Sequence, residues 1–212
     1  ISSWGTFWKS IGEGNFNLDI FERELAQIPK DKKEIKSYVT KLSNRTLKEN
    51  EQYIYLILQS CSFGGKQIWL NNGKSNAFFR DYWEPTANSV RKSPANPMQP
   101  APETLYERVR KLAIRCVGIT CLKENIMDFA TNKIHEQSVV YVDPPYQGTT
   151  SYGFDFNLEK FIKKFKEVNN VPLLVSEGIP LNDRSEELTF GGAKGGINGN
   201  KPKKHREWIT RF

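Results

Sequence analysis

The stretch Ser138-Val139-Val140-Tyr141-Val142 decides the fold, because it is a nearly continuous apolar run of strand length. Runs of this kind are typical of strands in a sheet that is covered on both faces. A helix capped by Asn157 and a second apolar strand, Val171-Pro172-Leu173-Leu174-Val175-Ser176, follow it along the chain. Since a strand-helix-strand crossover joins parallel strands, we predict an α/β sheet whose ligand-binding edge lies just after Val142.

Directly after the first strand stands the tetrapeptide Asp143-Pro144-Pro145-Tyr146. Each proline fixes φ and removes an amide donor, and a residue before proline is held in extended backbone. Asp143 and the neighbouring carbonyl groups therefore form a rigid group of acceptors, which suits a substrate that presents N–H donors. An amino group on an aromatic ring presents two, and Tyr146 offers a ring face for stacking. The alternative interpretation is a rigid turn that ends the strand and carries no chemistry.

The tetrapeptide resembles the signature D/N/S-P-P-Y/F of the amino-methylating DNA methyltransferases, and its form is similar to the DPPY of the Dam-like (alpha-group) N6-adenine enzymes. The similarity in the order and spacing of segments extends over nearly the whole chain. The segments that carry it are Gln59-Ser60-Cys61-Ser62-Phe63-Gly64-Gly65, the aromatic stretch after it, Pro102-Glu103-Thr104-Leu105, Val175-Ser176-Glu177 and the glycine-rich basic tail.

This resemblance implies a Rossmann-like α/β core that uses S-adenosylmethionine and carries an inserted loop-rich and helical target-recognition subdomain. Residues 1–45 and 103–212 would form the catalytic core, and residues 46–102 would form the insert. The implied reaction is methyl transfer to N6 of an adenine that is flipped out of double-stranded DNA. In that reaction Asp143 and the Pro144 carbonyl accept hydrogen bonds from the amino group, the two prolines keep the turn rigid, and Tyr146 stacks on the base.

Contacts with the cofactor are expected at Glu124, Asn125 and Asp143. The first two follow a predicted strand, Ile119-Thr120-Cys121-Leu122, at the place where the resembled family contacts the adenine half of S-adenosylmethionine. A helix cap after the strand is the alternative interpretation of this pair.

The F-x-G-x-G loop of the resembled family has no counterpart in the sequence. Gly12-Glu13-Gly14 continues with Asn15 and follows no buried strand. An acidic residue expected to hold the cofactor ribose is missing as well. We therefore expect a segment that precedes Ile1 to hold the methionine half of the cofactor.

Contacts with DNA are expected from the insert and from the tail. The formal net charge of +7, from 31 basic and 24 acidic residues, favours a polyanionic partner. In the insert, which carries a predicted hairpin turn at Asn71-Asn72-Gly73-Lys74, we expect Trp69 and Arg80 to contact DNA, with an ordinary satellite core as the alternative. In the tail we expect phosphate contacts from Lys194, Lys201, Lys203 and Lys204. The alternative interpretation of the tail is a solvated loop.

The rest of the chain reads as an ordinary globular protein of 212 residues. Apolar spacing predicts two helices within residues 2–28, one helix each within 30–45, 51–61 and 102–116, and a final strand within 205–212. Three cysteines without a C-x-x-C pair indicate reduced core residues and no metal site. Because no apolar run is long enough to span a membrane, we expect a cytoplasmic monomer without a membrane partner.

Two other functions stay open from the sequence. One is methyl transfer to a different amino group, such as cytosine N4, guanine in RNA or a protein glutamine, although such relatives usually have Ser or Asn where Asp143 stands. The other is a DNA-binding relic of the family without catalysis, which the lack of a cofactor loop suggests.

Overall fold

The computed structural model describes residues 3–45, 50–63, 68–69, 75–144, 156–188 and 207–212. The chain forms two compact units, Ile1–Lys123 and Glu124–Phe212, and each has its own hydrophobic core. The first is mainly helical in its described part, and the second combines helices with a sheet. This confirms the α/β class predicted from the sequence, whereas the Rossmann-like core stays a prediction. The predicted insert, residues 46–102, falls inside the first unit.

The described part of the first unit contains the helices α1 (Ser3–Gly12), α2 (Leu18–Ala26), α3 (Lys32–Ser43), α4 (Glu51–Cys61) and α5 (Pro102–Arg115). All five agree with the helices predicted from apolar spacing. Side-chain caps fix two of the helix starts, because Asn17 accepts from the backbone N–H of Ile20 and Asp31 accepts from that of Lys33. Pro102 begins α5 at a position where no amide donor is needed.

The core of the first unit is built around α4, on which α1, α2 and α3 all pack. Ile57 and Leu58 of α4 are fully buried. Phe16 connects the helices through its ring, whose centroid lies 5.4 Å from that of Phe7 and 4.9 Å from that of Tyr53. Burial of each such side chain stabilises the fold by about 1.5–3 kcal/mol, so this apolar face, rather than helix propensity, holds the helices together.

Gly12 lets the end of α1 approach the segment that follows α5. The backbone N–H of Gly118 donates to the carbonyl oxygen of Gly12 at 2.8 Å. A Cβ atom at position 12 would lie 1.8 Å from the carbonyl oxygen of Ile119, so no other residue fits without a backbone shift. Gly118 has a φ of 93°, which lies in the region that favours glycine. The two glycines together allow the close approach of α1 to the segment that follows α5.

The strand predicted at Ile119-Thr120-Cys121-Leu122 is wrong. Residues 119–122 have no regular structure, and none of the described strands pairs with them. Leu122 is 75% exposed, so the apolar residues of this run do not face a sheet. A short apolar run forms a strand only when a neighbouring strand supplies its hydrogen bonds, and this run has none among the described residues.

Antiparallel contacts occur within the predicted insert. Isolated bridges join Trp69 to Ser75 and Ser62 to Phe79, and a third joins Trp83 to Ala95. The predicted hairpin turn at residues 71–74 lies outside the described residues.

The second unit contains α6 (Ile126–Phe129), β1 (Val140–Val142), α7 (Leu158–Val168), β2 (Leu173–Glu177), β3 (Ser185–Glu187) and β4 (Trp208–Arg211). The strands form one mixed sheet in the order β1-β2-β4-β3. The predicted parallel pairing of β1 with β2 is confirmed. β4 confirms the predicted final strand and runs antiparallel to both of its neighbours, β2 and β3. The polar sequence of β3 has no apolar pattern and gave no strand prediction.

The core of the second unit lies between α7 and the sheet. Asn157 caps α7 as predicted by accepting from the backbone N–H of Lys160 at 2.8 Å. Phe161 and Phe165 of this helix are fully buried, as are Leu173 and Val175 of β2. The apolar faces of the helix and the strand therefore face each other, which is the packing expected of a strand-helix-strand unit.

β1 differs from its prediction in length and burial. It begins at Val140 rather than at Ser138, and Val139 and Tyr141 are 62% and 55% exposed. The expectation of a strand covered on both faces is therefore wrong for the described residues. The reason is that alternation along the strand puts Val140 and Val142 on the face that packs into the core and Tyr141 on the opposite face, which is exposed.

None of the helices among the described residues is long and apolar enough to cross a membrane. The three cysteines form no disulfide: Cys61 is buried, and Cys116 and Cys121 are half-buried.

Candidate active site

Strand register brings Asp143 and Ser176 together at one edge of the sheet. Val142 is paired with Val175 in the parallel ladder of β1 and β2. The next residues along the two strands, Asp143 and Ser176, are therefore neighbours near the carboxyl ends. This is the edge at which open α/β sheets bind ligands.

A hydrogen bond joins these two side chains. The hydroxyl of Ser176 donates to Oδ1 of Asp143 at 2.8 Å. Ser176 is fully buried, whereas Asp143 is exposed. A carboxylate oxygen can accept further hydrogen bonds, and Oδ2 of Asp143 has no partner among the described residues. The serine therefore fixes the direction of the carboxylate and leaves acceptor capacity on it.

Pro144 restrains the backbone next to this carboxylate. Its side chain is buried directly after the exposed Asp143. The proline ring fixes φ, and its steric effect holds the preceding residue in extended backbone. Asp143 is thus restrained through its backbone by Pro144 and through its side chain by Ser176, as a rigid acceptor group requires.

Ser176 and Glu177 are residues of this edge to which sequence reasoning assigned no role. Glu177 is 1% exposed, and its Oε2 accepts from the backbone N–H of Gly178 at 2.9 Å. The available signal was positional: polar residues end an apolar strand that is predicted to run parallel to β1. Only the register of that pairing shows that Ser176, rather than a neighbour, meets Asp143.

Glu124 and Asn125, the expected cofactor residues, take part in local structure at the start of α6. Asn125 caps the helix by accepting from the backbone N–H of Met127 at 2.8 Å. Oε1 of Glu124 accepts from the side-chain amide of Asn132 at 2.9 Å. Both side chains are exposed. The helix cap considered from the sequence is therefore present for Asn125, and cofactor contact by either residue stays a prediction.

Trp69 and Arg80, the DNA contacts expected in the insert, lie in different surroundings. Trp69 packs against the core of the first unit, and its indole N–H donates to the carbonyl oxygen of Ser43 at 2.9 Å. Arg80 is half-buried and lies over the ring of Phe63, 3.7 Å from the centroid. The satellite-core interpretation thus describes the packing of Trp69, while Arg80 keeps a cationic group near the surface.

The other site residues expected from the sequence lie outside the described residues. They are Pro145, Tyr146, Lys194, Lys201, Lys203 and Lys204.

Two surface depressions of the second unit lie away from the Asp143 edge. One is lined by residues 133–137, and the other includes Pro172, Arg184 and Arg211 near the amino end of β2. Neither includes Asp143 or Pro144. Comparison with known proteins adds no relative, since no protein-family model matches the chain and no curated protein matches it at a significant level.

Proposed function

We propose that the protein is a DNA methyltransferase that transfers a methyl group from S-adenosylmethionine to N6 of adenine. The observation that carries the proposal is the fixed orientation of the Asp143 carboxylate within Asp143-Pro144-Pro145-Tyr146. Its carboxylate is anchored by Ser176 at the carboxyl end of a parallel strand pair, and its Oδ2 has no partner among the described residues.

This arrangement suits an exocyclic amino group as the substrate. A carboxylate oxygen and the neighbouring Pro144 carbonyl can accept the two N–H groups of the amine. Accepting both draws the nitrogen lone pair out of conjugation with the ring and makes it nucleophilic. No strong base is required, because the nitrogen becomes acidic only as the new bond forms. Fixed orientation of the amine then accounts for most of the rate increase.

The target adenine has to leave the helix before it can react. Its amino group is paired and stacked in duplex DNA, so extrusion of the nucleotide precedes transfer. Tyr146 directly follows the two prolines and offers an aromatic ring on which the extruded base stacks. A stack of this kind contributes about 1–3 kcal/mol, which offsets part of the cost of unstacking.

Polar groups of Glu124 and Asn125 support contact with the adenine half of S-adenosylmethionine. Glu124 uses Oε1 for Asn132, and its Oε2 has no partner in the described part of the chain. Asn125 uses its carbonyl oxygen as a cap and keeps its amide group as a donor. These residues would contact the adenine half of the bound cofactor, which would supply an electrophilic methyl group.

Substitution of Asp143 tests the proposal. Labelled methyl transfer from S-adenosylmethionine to duplex DNA, followed by nucleoside analysis, should place the label on adenine N6. Asp143→Ala should lower the rate by at least a hundredfold and leave DNA affinity within about twofold, since the acceptor acts most strongly as the transition state forms. Asp183→Ala is the matched control, because Asp183 is an exposed aspartate of the same unit.

The outcomes separate the proposal from its alternatives. Label on cytosine, RNA or protein would assign a different amino group as the substrate. Tight DNA binding by the parent protein without any transfer would indicate a DNA-binding protein. Equal activity of Asp143→Ala and the parent would disprove the catalytic assignment.

A further inference from the structure

Residues 83–95 form a loop that is closed on itself. Trp83 and Ala95 exchange two backbone hydrogen bonds, of 3.1 and 2.8 Å, which join the two ends. Inside the loop, the backbone N–H of Ser89 donates to the carbonyl oxygen of Thr86 at 3.1 Å, and the hydroxyl of Ser89 accepts from the backbone N–H of Thr86 at 2.8 Å. We call residues 84–94 the tip loop. Its own hydrogen bonds define its shape.

Two cations lie in the tip loop and are held by its backbone. Arg91 donates to the carbonyl oxygen of Pro94 at 2.9 Å and to the hydroxyl of Ser93 at 3.3 Å. The ammonium group of Lys92 donates to the carbonyl oxygen of Ala87 at 3.1 Å. Neither cation has a carboxylate partner within the described residues. The loop therefore positions two positive charges without neutralising them, and each keeps N–H donors for a ligand.

The residues around Arg91 and Lys92 do not cancel the positive charge of this pair. Arg91 and Lys92 are the only charged residues of the sequence from Pro85 to Pro102. Of the nearby acids, Asp81 is paired with Lys36 at 2.6 Å. Glu84, the first residue of the tip loop, keeps its negative charge while it accepts a hydrogen bond from the hydroxyl of Tyr82, so the loop carries two cations against one carboxylate. The surface is therefore a local excess of positive charge that suits a polyanion.

Arg80 is a third cation that lies close to the tip loop in the sequence. Burial, and secondarily the positive charge of Arg91, lower the pKa of Arg80. Arg80 is held over the Phe63 ring, and the half-exposed Phe78 packs against the same ring with a centroid distance of 5.9 Å. Aromatic support of this kind reduces the freedom of the guanidinium and keeps it directed at the surface.

Val90 stands beside the two loop cations and is completely exposed. A single exposed valine is common on protein surfaces and has no meaning alone. Here it directly precedes Arg91 and Lys92 in a loop whose shape is fixed by hydrogen bonds. Proteins that bend or open duplex DNA place an apolar side chain between bases in this way while neighbouring cations hold the phosphates.

We infer that the tip loop is a contact surface for duplex DNA, in which Arg91 and Lys92 bind phosphates and Val90 enters the groove and presses against a base step. The inference rests on the proposed function, because it takes DNA to be the substrate. It adds a set of DNA contacts that differs from Trp69 and from the basic tail. Cations that are already fixed lose little conformational entropy on binding. Each phosphate contact therefore benefits from counterion release at a small entropic cost to the protein.

Salt dependence of binding tests the two cations. We would measure the affinity of the protein for a fluorescent duplex by anisotropy between about 50 and about 200 mM salt. In Arg91→Ala/Lys92→Ala, the slope of log affinity against log salt should fall in magnitude by about 2, roughly one unit for each lost phosphate contact. The matched control is Lys111→Ala/Arg115→Ala, which removes the same charge from α5 and should leave the slope unchanged.

Fluorescence of 2-aminopurine tests Val90. A series of duplexes with the probe at successive positions should show one site where the parent protein increases the fluorescence, because the base is unstacked there. Val90→Ala should abolish the increase at that site and leave the salt slope unchanged, while Val90→Ile should keep it. Circular dichroism verifies that the variants are folded.

Each outcome tests either the role of the tip loop or the proposed DNA substrate. If the parent protein binds duplex DNA and the loop variants behave like it, the inference about the tip loop is wrong and DNA stays the proposed substrate. An equal loss of slope in the α5 control would also overturn the inference, because the attraction would then be general. Absence of DNA binding by the parent, or tighter binding of an RNA duplex, would contradict the proposed function itself.

Discussion

The buried hydroxyl of Ser176 donates a 2.8 Å hydrogen bond to the exposed carboxylate of Asp143. The two residues are 33 positions apart and meet because β1 and β2 pair in parallel with Val142 opposite Val175. A donor that is fixed within a strand orients the carboxylate without competing for the substrate side of it. Ser176 is therefore a positioning residue in the proposed reaction.

Ser176→Ala should lower the rate of methyl transfer at saturating substrate and leave DNA affinity unchanged. A hydrogen bond to a charged group is worth about 1.5–3 kcal/mol, so loss of orientation at Asp143 should reduce kcat by about tenfold to a hundredfold. Steady-state kinetics would separate kcat from KM. Ser176→Thr keeps a hydroxyl and should recover part of the loss.

Ser185→Ala is the matched control for this prediction. The hydroxyl of Ser185 in β3 donates to the backbone carbonyl of Asn182 and shares a hydrogen bond with the hydroxyl of Thr210, and it does not contact Asp143. Its loss should lower the stability of the second unit and leave kcat at the parent value. An equal drop in kcat in both variants would mean that Ser176 acts through stability alone.

Gly12→Ala should destabilise the first unit by about 1–3 kcal/mol, because the new methyl group would overlap the carbonyl oxygen of Ile119. The helix cannot turn away without breaking the hydrogen bond from Gly118 to Gly12. Urea unfolding followed by tryptophan fluorescence would measure the change, since Trp4 and Trp8 belong to the same helix.

Gly14→Ala provides the comparison for that variant. Its Cβ would meet only ordinary contacts with Val117, whereas its φ of 69° would impose a backbone cost of about 1 kcal/mol. We expect Gly12→Ala to be the more destabilising of the two. The reverse order would show that the approach of α1 to Ile119 is loose.

Stability should fall in alkali because of Cys61. Burial raises the pKa of its thiol from 9.0 to about 12, against a smaller lowering by the Ser60 hydroxyl. The folded state therefore holds this proton more tightly than the unfolded state. The stabilisation is complete below about pH 9 and is lost by up to about 1.4 kcal/mol per pH unit as the pH rises toward 12.

Urea unfolding at a series of alkaline pH values would measure this slope. Cys61→Ala should flatten the part of the curve just above the ordinary pKa of the thiol, because the titrating group is removed. Cys116→Ala, which leaves Cys61 in place, should keep it. Tyr38 and Tyr55, whose pKa values burial also raises, should maintain a decline at higher pH in every variant. An unchanged slope in Cys61→Ala would exclude Cys61 as its cause.

Local patterns predicted the elements well where one face is apolar. The helices α1 to α5 and α7 follow from spacing and caps that act within a few residues. β3 and the irregular segment at 119–122 were not predictable in this way, because a strand exists only where another strand offers hydrogen bonds. Ser185-Glu186-Glu187 pairs with β4 although it has no apolar pattern, and Ile119-Thr120-Cys121-Leu122 has no strand beside it in the described sheet.

By itself the sequence determined the rigid acceptor character of Asp143-Pro144 and its position at the end of a strand, since proline geometry and strand patterning are local properties. Tertiary structure alone decided that Ser176 holds the carboxylate, because the contact depends on strand register. It likewise decided that Asn125 caps a helix and that Arg80 lies over the ring of Phe63. Contacts between residues distant in sequence arise from the packing of whole elements, and no local pattern encodes them.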